Sequence, residues 1–312
     1  MDTANDWLEP LRNGLKQRVL GQEAVIDQVL AVLLAGGHVL IEGVPGLAKT
    51  LLAQSLAELM GGEFSRIQFT PDLMPADITG HAIYDMKNER FRLRRGPVFC
   101  NVLLADEVNR APAKTQSALL EVMQEKQVTI EGKPLAVPHP FLVLATQNPI
   151  EQEGTYSLPE AQLDRFMLKV LIDYPSAEHE RDIALGHAKP ADEASDTTPL
   201  GTEQLIALQG LCRQVQVDTH LADYAVKLVR TTRQWPGIAF GAGPRASIAL
   251  LRVAQARALL QGRDFIIPDD IKKMAPPVLR HRIVLNAEFL MEGRRPDDVL
   301  EQMIQQQEAP RQ

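Results

Sequence analysis

Cysteine is scarce: Cys100 and Cys212 are the only two in 312 residues, and they stand far apart with no C-x-x-C spacing. That excludes a disulfide framework and a thiolate zinc site, and Cys100 is expected to be a small buried apolar residue. The 7 histidines are as dispersed. With no H-E-x-x-H pattern and no carboxylate cluster beside them, hydrolysis by a protein-held zinc ion has no support. A basic excess is also missing, since 33 Lys and Arg face 40 Asp and Glu, giving a formal charge of −7. Binding to a phosphate backbone usually shows as a positive surplus, so nucleic acid is not the expected main partner. No apolar run is long enough to cross a bilayer. The opening MDTANDWLEPLRNGLKQRVL lacks the basic-then-apolar order of a secretory signal, and a cytoplasmic protein is the expectation.

What the chain does have is 45% apolar residues, enough for a large domain and a smaller one. From Val19 to about Tyr174 short apolar runs alternate with longer amphipathic ones, the rhythm of a parallel sheet covered by helices. Five strands are expected: His38–Ile41, Arg66–Phe69, Val102–Ala105, Phe141–Ala145 and Met167–Ile172. The stretch KPADEASDTTPLGT (Lys189–Thr202) has no apolar period and reads as a linker. Beyond it, helical spacing over Glu203–Gln214, Leu221–Gln234, Pro244–Leu260, Pro268–Met274 and Pro296–Gln306 predicts a small helical bundle. The fold class is α/β, with an α/β domain over 1–188, a linker over 189–202 and an all-helical lid over 203–312.

The strand HVLI leads through Glu42 into Gly43-Val44-Pro45-Gly46-Leu47-Ala48-Lys49-Thr50 and the helical run LLAQSLAELM. Backbone N–H groups of such a turn, with the positive end of a helix dipole, cradle phosphate oxygens. Lys49 is placed to reach the β- and γ-phosphates and Thr50 to set its hydroxyl on Mg²⁺. Ala48 occupies the position where G-x-x-x-x-G-K-T has its second glycine, and the reading asks only that this residue accept helical angles. A Gly-Pro turn before a helix with a solvated lysine is the alternative.

Downstream, VLLA ends in the adjacent carboxylates Asp106 and Glu107. These would hold Mg²⁺ through water and polarise an attacking water, respectively; an exposed strand end is the plainer reading. The strand FLVLAT then delivers Gln147 and Asn148 at its carboxyl end, where open α/β sheets bind ligands. Asn148 could orient the water, or simply form an Asn-Pro turn with Pro149. In HAIYDMKNERFRLRRGPVF (His81–Phe99), Arg90, Arg92 and Arg94 alternate with Phe91 and Leu93, which predicts a hairpin. A solvated strand face explains the arginine row better than a polyanion does.

The segments GVPGLAKT, LLADEVNRAPAKTQSALLEVMQEKQVTI, ATQNPIEQEGTYSLPEAQLDRF and GPRA together resemble the MoxR family of AAA+ ATPases, and the resemblance runs over nearly the whole chain. GVPGLAKT is how that family usually writes its phosphate loop. The resemblance implies a P-loop AAA+ domain with a helical lid, in which ATP and Mg²⁺ are bound and ATP is hydrolysed. Gly43, Gly46, Lys49 and Thr50 then correspond to Walker A, Asp106 and Glu107 to Walker B, and Asn148 to sensor 1. Arg165 corresponds to an arginine finger reaching a neighbouring subunit, and Arg245 to sensor 2. Leu20, Gly21 and Gln22 would lie near the adenine. Read without the family, Arg165 is a surface partner of Asp164 and Arg245 merely opens a helix.

The resemblance further implies a ring of identical subunits, expected as a hexamer, with a chaperone-like or maturation role. Partners carrying a von Willebrand factor A domain are implied as well. Two inserted hairpins are implied, the one above and another around Gln127–Val137, and Gln68 on the strand RIQF is a candidate for coupling nucleotide state to them. Two other classes stay open from sequence: a regulatory module that binds ATP with negligible turnover, and a DNA-remodelling ring. Salt-dependent DNA binding would speak for the latter.

Overall fold

The structure is a computed structural model and describes residues 2–148, 156–188 and 199–310. The chain opens with two helices, α1 (Asp2–Arg18) and α2 (Glu23–Ala35), before the first strand, β1 (Val39–Glu42). After α3 (Lys49–Leu59) come β2 (Phe64–Gln68), the short α4 (Pro75–Thr79), and the antiparallel pair β3 (Gly80–Asp85) and β4 (Arg90–Arg95). Next are β5 (Val102–Asp106), α5 (Ala113–Glu125), a second hairpin of β6 (Gln127–Ile130) and β7 (Lys133–Ala136), and β8 (Leu142–Gln147). A single-turn α6 (Glu160–Leu163), β9 (Leu168–Leu171) and α7 (Ala177–Ala188) complete the α/β part.

The sheet is fully parallel, with strand order β2-β5-β8-β1-β9. All five expected strands are present, shifted by one or two residues. Side-chain alternation divides the strands between two apolar layers. Val39 and Ile41, Val102 and Leu104, and Leu142 and Leu144 face α1, α2 and α3. Leu40, Leu103, Ala105, Val143 and Ala145 face α5 and its neighbours. Because β1 sits inside the sheet while β2 lies at the edge, the chain leaves β1 at a crevice, the place where such sheets bind ligands.

The C-terminal part carries α8 (Thr202–Gln214), α9 (Thr219–Thr231), β10 (Ile238–Phe240), α10 (Pro244–Leu260), α11 (Pro268–Leu279), β11 (Val284–Leu285), α12 (Ala287–Met291) and α13 (Pro296–Gln306). Helix α11 runs five residues past its expected end and takes Pro276 and Pro277 into its last turns. Buried Pro277, Val278 and Leu279 keep the turn packed despite the missing N–H groups. Helices α8 and α10 pack on α2, and their buried residues form one continuous cluster with those of α1–α3. Gln209 of α8 donates to Leu33 O at 2.7 Å. Most of the expected linker, residues 189–198, lies outside the described residues; Leu200 N–H donates to Leu59 O at 2.7 Å. Among the described residues, no helix is long and apolar enough to cross a membrane.

His38, at the start of β1, pins the layers together. Its Nδ1 accepts from Val143 N–H at 3.0 Å, so the proton sits on Nε2, which donates to Met123 O at 3.0 Å. Burial drives its pKa from 6.5 down to about 4 because charging the ring there has no solvent to support it. A depressed native pKa makes this contribution complete above pH 6.5 and progressively lost as pH falls through about 4. The displacement corresponds to roughly 3 kcal/mol. Urea unfolding of wild type and His38→Gln between pH 7.5 and 4.5 is expected to show a steeper acid loss in wild type, with the difference centred in that window. Equal slopes would mean the ring is not buried neutral.

Candidate functional site

The loop after β1 is shaped by what surrounds it. A side chain at Gly43 would place its Cβ 2.6 Å from Ile172 O, because the ends of β1 and β9 converge there, so only glycine lets the loop pass. Gly46 turns at φ +85°, and nothing lies within 4 Å of where its Cβ would be. The loop is therefore crowded against β9 at Gly43 and open at Gly46.

Ala48 corrects the sequence expectation. It does not take helical angles but lies at φ 54°, ψ 19°, in the left-handed region, as the residue that precedes the first turn of α3. The glycine of the common pattern has a conformational purpose, and alanine occupies the same conformation at a cost of about 1–2 kcal/mol. Ala48→Gly is expected to raise stability by up to about 1 kcal/mol, part of the relief being offset by the freer unfolded chain. Chemical denaturation checks this, and a loss of stability would argue that residue 48 is unstrained in solution.

Lys49 opens α3 and folds back so that Nζ donates to Gly43 O at 2.7 Å. Burial lowers its pKa, and the carboxylates of Asp106 and Glu107 oppose that shift. Asp106 ends β5 and Glu107 follows it, so the charges that counter the burial of the lysine come from the end of that strand. Thr50 follows at the helix start, half-buried.

Asp106 is held on both oxygens. Thr146 Oγ1 donates to Oδ1 at 2.6 Å and Arg66 Nη2 to Oδ2 at 2.7 Å. The same Thr146 oxygen accepts from Glu107 N–H at 2.8 Å, so one hydroxyl fixes the start of the Asp-Glu pair. Glu107 itself sits at φ 55°, ψ 51°, a left-handed bend that ends the strand. Its Oε2 accepts from Gln68 Nε2 at 2.6 Å and from Arg110 Nη1 at 3.2 Å. Asn148 is buried just beyond β8, while the following segment, 149–155, lies outside the described residues.

Val19, Leu20 and Gln22 line a cavity of about 590 Å³ together with Gly46, Leu47 and Ala48. Helix α7 closes it with Ile183 and Gly186. The size suits a nucleoside. Gln22 Nε2 donates to Asp173 O at 2.8 Å, and Gly21 turns at φ +73° against His179 and Pro175. The segment expected near an adenine and the glycine loop therefore line one cavity.

The two candidate arginines lie elsewhere. Arg165 follows α6, is exposed, and donates from Nη1 to Leu120 O at 2.9 Å. Arg245, in the first turn of α10, comes within 3.9 Å of Asp164 Oδ2. Asp164, the alternative partner for Arg165, is bound instead by Arg282 at 2.7 Å.

The family described as "ATPase family associated with various cellular activities (AAA)" matches residues 38–168, and the AAA lid domain matches residues 230–303. The chain is 47% identical to Chaperone MoxR1 of Mycobacterium tuberculosis, over 93% of this chain and 79% of that protein. It is 45% identical to the uncharacterised YeaC of Bacillus subtilis, over 94% and 91% of the respective chains. It belongs to the MoxR family of AAA+ ATPases. A solved structure from Cytophaga hutchinsonii, described as a "putative ATPase", superposes with a TM-score of 0.91 at 41% identity, over 99% of this chain and 96% of that one. Within this MoxR-type fold, sequence reasoning missed Thr146, Arg66 and the α7 wall of the cavity. Arg66 and Gln68 did leave a signal, since two polar residues spaced by two on a sheet strand share one face.

Proposed function

We propose that the chain binds ATP with Mg²⁺ and hydrolyses it, in a ring of identical subunits, with Gly43–Thr50, Asp106, Glu107 and Asn148 forming the reacting centre. The observation that carries this reading is the glycine loop itself: Lys49 Nζ folds back onto Gly43 O at 2.7 Å, Gly46 leaves open space beside it, and a cavity of nucleoside size adjoins Gly46, Leu47 and Ala48. Among the described residues there is no group of three or more His, Cys, Asp or Glu side chains that could hold a metal alone. One carboxylate, one hydroxyl and the phosphates of a bound nucleotide are the donor set Mg²⁺ favours, and Asp106 and Thr50 supply the protein's share. When bound, the ion would neutralise charge on the phosphate oxygens.

In this reading the 43–48 amides hold the phosphates, Lys49 reaches the β- and γ-phosphates, and Leu20, Gly21 and Gln22 border the base. Glu107 takes the proton of the attacking water once Gln68 releases it, and Asn148 orients that water. Arg245 senses the γ-phosphate from the lid, and Arg165 serves the site of the adjoining subunit, so losing the γ-phosphate alters both lid angle and subunit packing. By analogy with the chaperone naming of the Mycobacterium relative, the cycle remodels client proteins. A hexamer, a cytoplasmic setting and partners with von Willebrand factor A domains are further parts of the proposal. The test is Lys49→Ala, which removes the charge facing the phosphates. It is expected to weaken ATP binding by about 10²-fold and to abolish turnover, read by fluorescent-nucleotide titration and phosphate release. Unchanged affinity would refute the site.

A further inference from the structure

Arg282, just after α11, is 97% hidden, with a side-chain exposure of 3%. All three of its guanidinium nitrogens are spent on one short stretch of the α/β part and on its own helix. Nε donates to Asp164 Oδ1 at 2.7 Å, Nη2 to Phe166 O at 2.7 Å and Asp164 O at 3.2 Å, and Nη1 to Met167 O at 3.0 Å and Val278 O. His281 Nε2 donates to the same Phe166 O at 3.1 Å, and Arg280 Nη1 reaches Lys169 O at 3.2 Å. Three consecutive lid residues thus grip 164–169 from one side.

Cohesion alone does not call for this arrangement. Apolar residues of equal volume usually join two elements as well as a buried ion pair does, without the cost of desolvating a guanidinium. What the arginine adds is a fixed geometry for the backbone on either side of Arg165. Arg165 itself is exposed, its side chain donates to Leu120 O at 2.9 Å and its main-chain N–H to Gln162 O at 3.2 Å, so the direction it projects follows the backbone of Asp164 and Phe166. Asp164 is also the carboxylate that Arg245 approaches at 3.9 Å. Two lid arginines therefore meet at the residue next to Arg165.

We propose that Arg282 is a positioning residue for Arg165: by clamping Asp164–Met167 to the lid, it makes the reach of Arg165 into the adjoining subunit depend on where the lid sits. This rests on the assignment of Arg165 as a group acting on a neighbour. A subunit lacking Arg282 is then a poor donor to its neighbour and a sound acceptor from it.

The experiment uses the full chain as Arg282→Gln, Arg282→Lys and Arg165→Ala, each assayed for ATP turnover alone and with an excess of Glu107→Gln subunits, and each titrated with a fluorescent ATP analogue. Arg282→Gln is expected to lose about 10²-fold in turnover, the scale of an ångström's misplacement of a catalytic group. Arg282→Lys, which keeps the charge and loses the fork, should lose less. Nucleotide affinity should hold within about twofold for both. Glu107→Gln subunits carry intact Arg165 and Arg282, and they are expected to raise Arg282→Gln turnover by about tenfold or more. Wild-type turnover by Arg282→Gln alone overturns the proposal. So does failure of rescue while Arg165→Ala is rescued, because damage within the subunit's own site cannot be repaired by a neighbour. If Arg165→Ala is not rescued either, the assignment of Arg165 falls and this inference falls with it. Should Arg282→Gln not fold, Arg282→Lys in the same mixing assay decides.

Discussion

Glu107→Gln is expected to lower ATP turnover by about 10³-fold, within the range for a positioned general base, while leaving ATP affinity within about twofold. The substitution keeps shape and hydrogen-bonding reach and removes only the charge and the proton-accepting oxygen. The main-chain link that sets this residue, Glu107 N–H to Thr146 Oγ1 at 2.8 Å, is independent of the side chain, so the left-handed bend and the strand end persist. Its neighbour Asp106 keeps both partners, Thr146 and Arg66. Single-turnover phosphate release with a parallel nucleotide titration separates the two effects. Turnover equal to wild type would move the base assignment to another residue. Loss of affinity would mean that Glu107 holds nucleotide rather than water.

Arg165→Ala is the second large effect. A cationic group supplied to the transferring phosphoryl from a neighbouring subunit is worth about 10³-fold or more in rate. Turnover is expected to fall by that amount and, in wild type, to depend on protein concentration. Because Arg165 is exposed and spends one hydrogen bond on Leu120 O, folding stability should shift by less than about 0.5 kcal/mol, so the loss is not one of fold. Mixing Arg165→Ala with Glu107→Gln should restore turnover, since one variant keeps a working base and the other a working arginine. Full activity of Arg165→Ala by itself, or a mixture that stays silent at every ratio, removes the cross-subunit role.

Local sequence sufficed for the five strands, for the glycine turn between β1 and α3, and for the strand end at Asp106. Each is encoded by neighbours in the chain: an apolar run buried on both faces, then a turn, then a helix start. The hairpin at Gly80–Arg95 was legible for the same reason, and its register puts Tyr84 opposite Phe91, with Arg90, Arg92 and Arg94 on the other face. Ala48 shows the limit of that reading. Alanine is a helix former by propensity, yet the loop's path between β1 and α3 puts it at φ 54°, and a local cost of about 1–2 kcal/mol yields to that closure. Thr146 is comparable, since nothing in FLVLAT says that a hydroxyl at its end will meet Asp106 and Glu107 from a strand 40 residues earlier.

By itself the sequence determined the elements and the residue types at their ends, because periodicity and turn chemistry act over a few residues. Only the tertiary structure decided what meets across the chain: Thr146 on Asp106 and Glu107, Val19, Leu20 and Gln22 around one cavity with Gly46, Leu47 and Ala48, Gln68 on Glu107, and Arg282 on Asp164–Met167. Those pairings follow from strand order and from burial of the lid on α2. They are set by free energies of packing summed over the whole core, which no short segment carries.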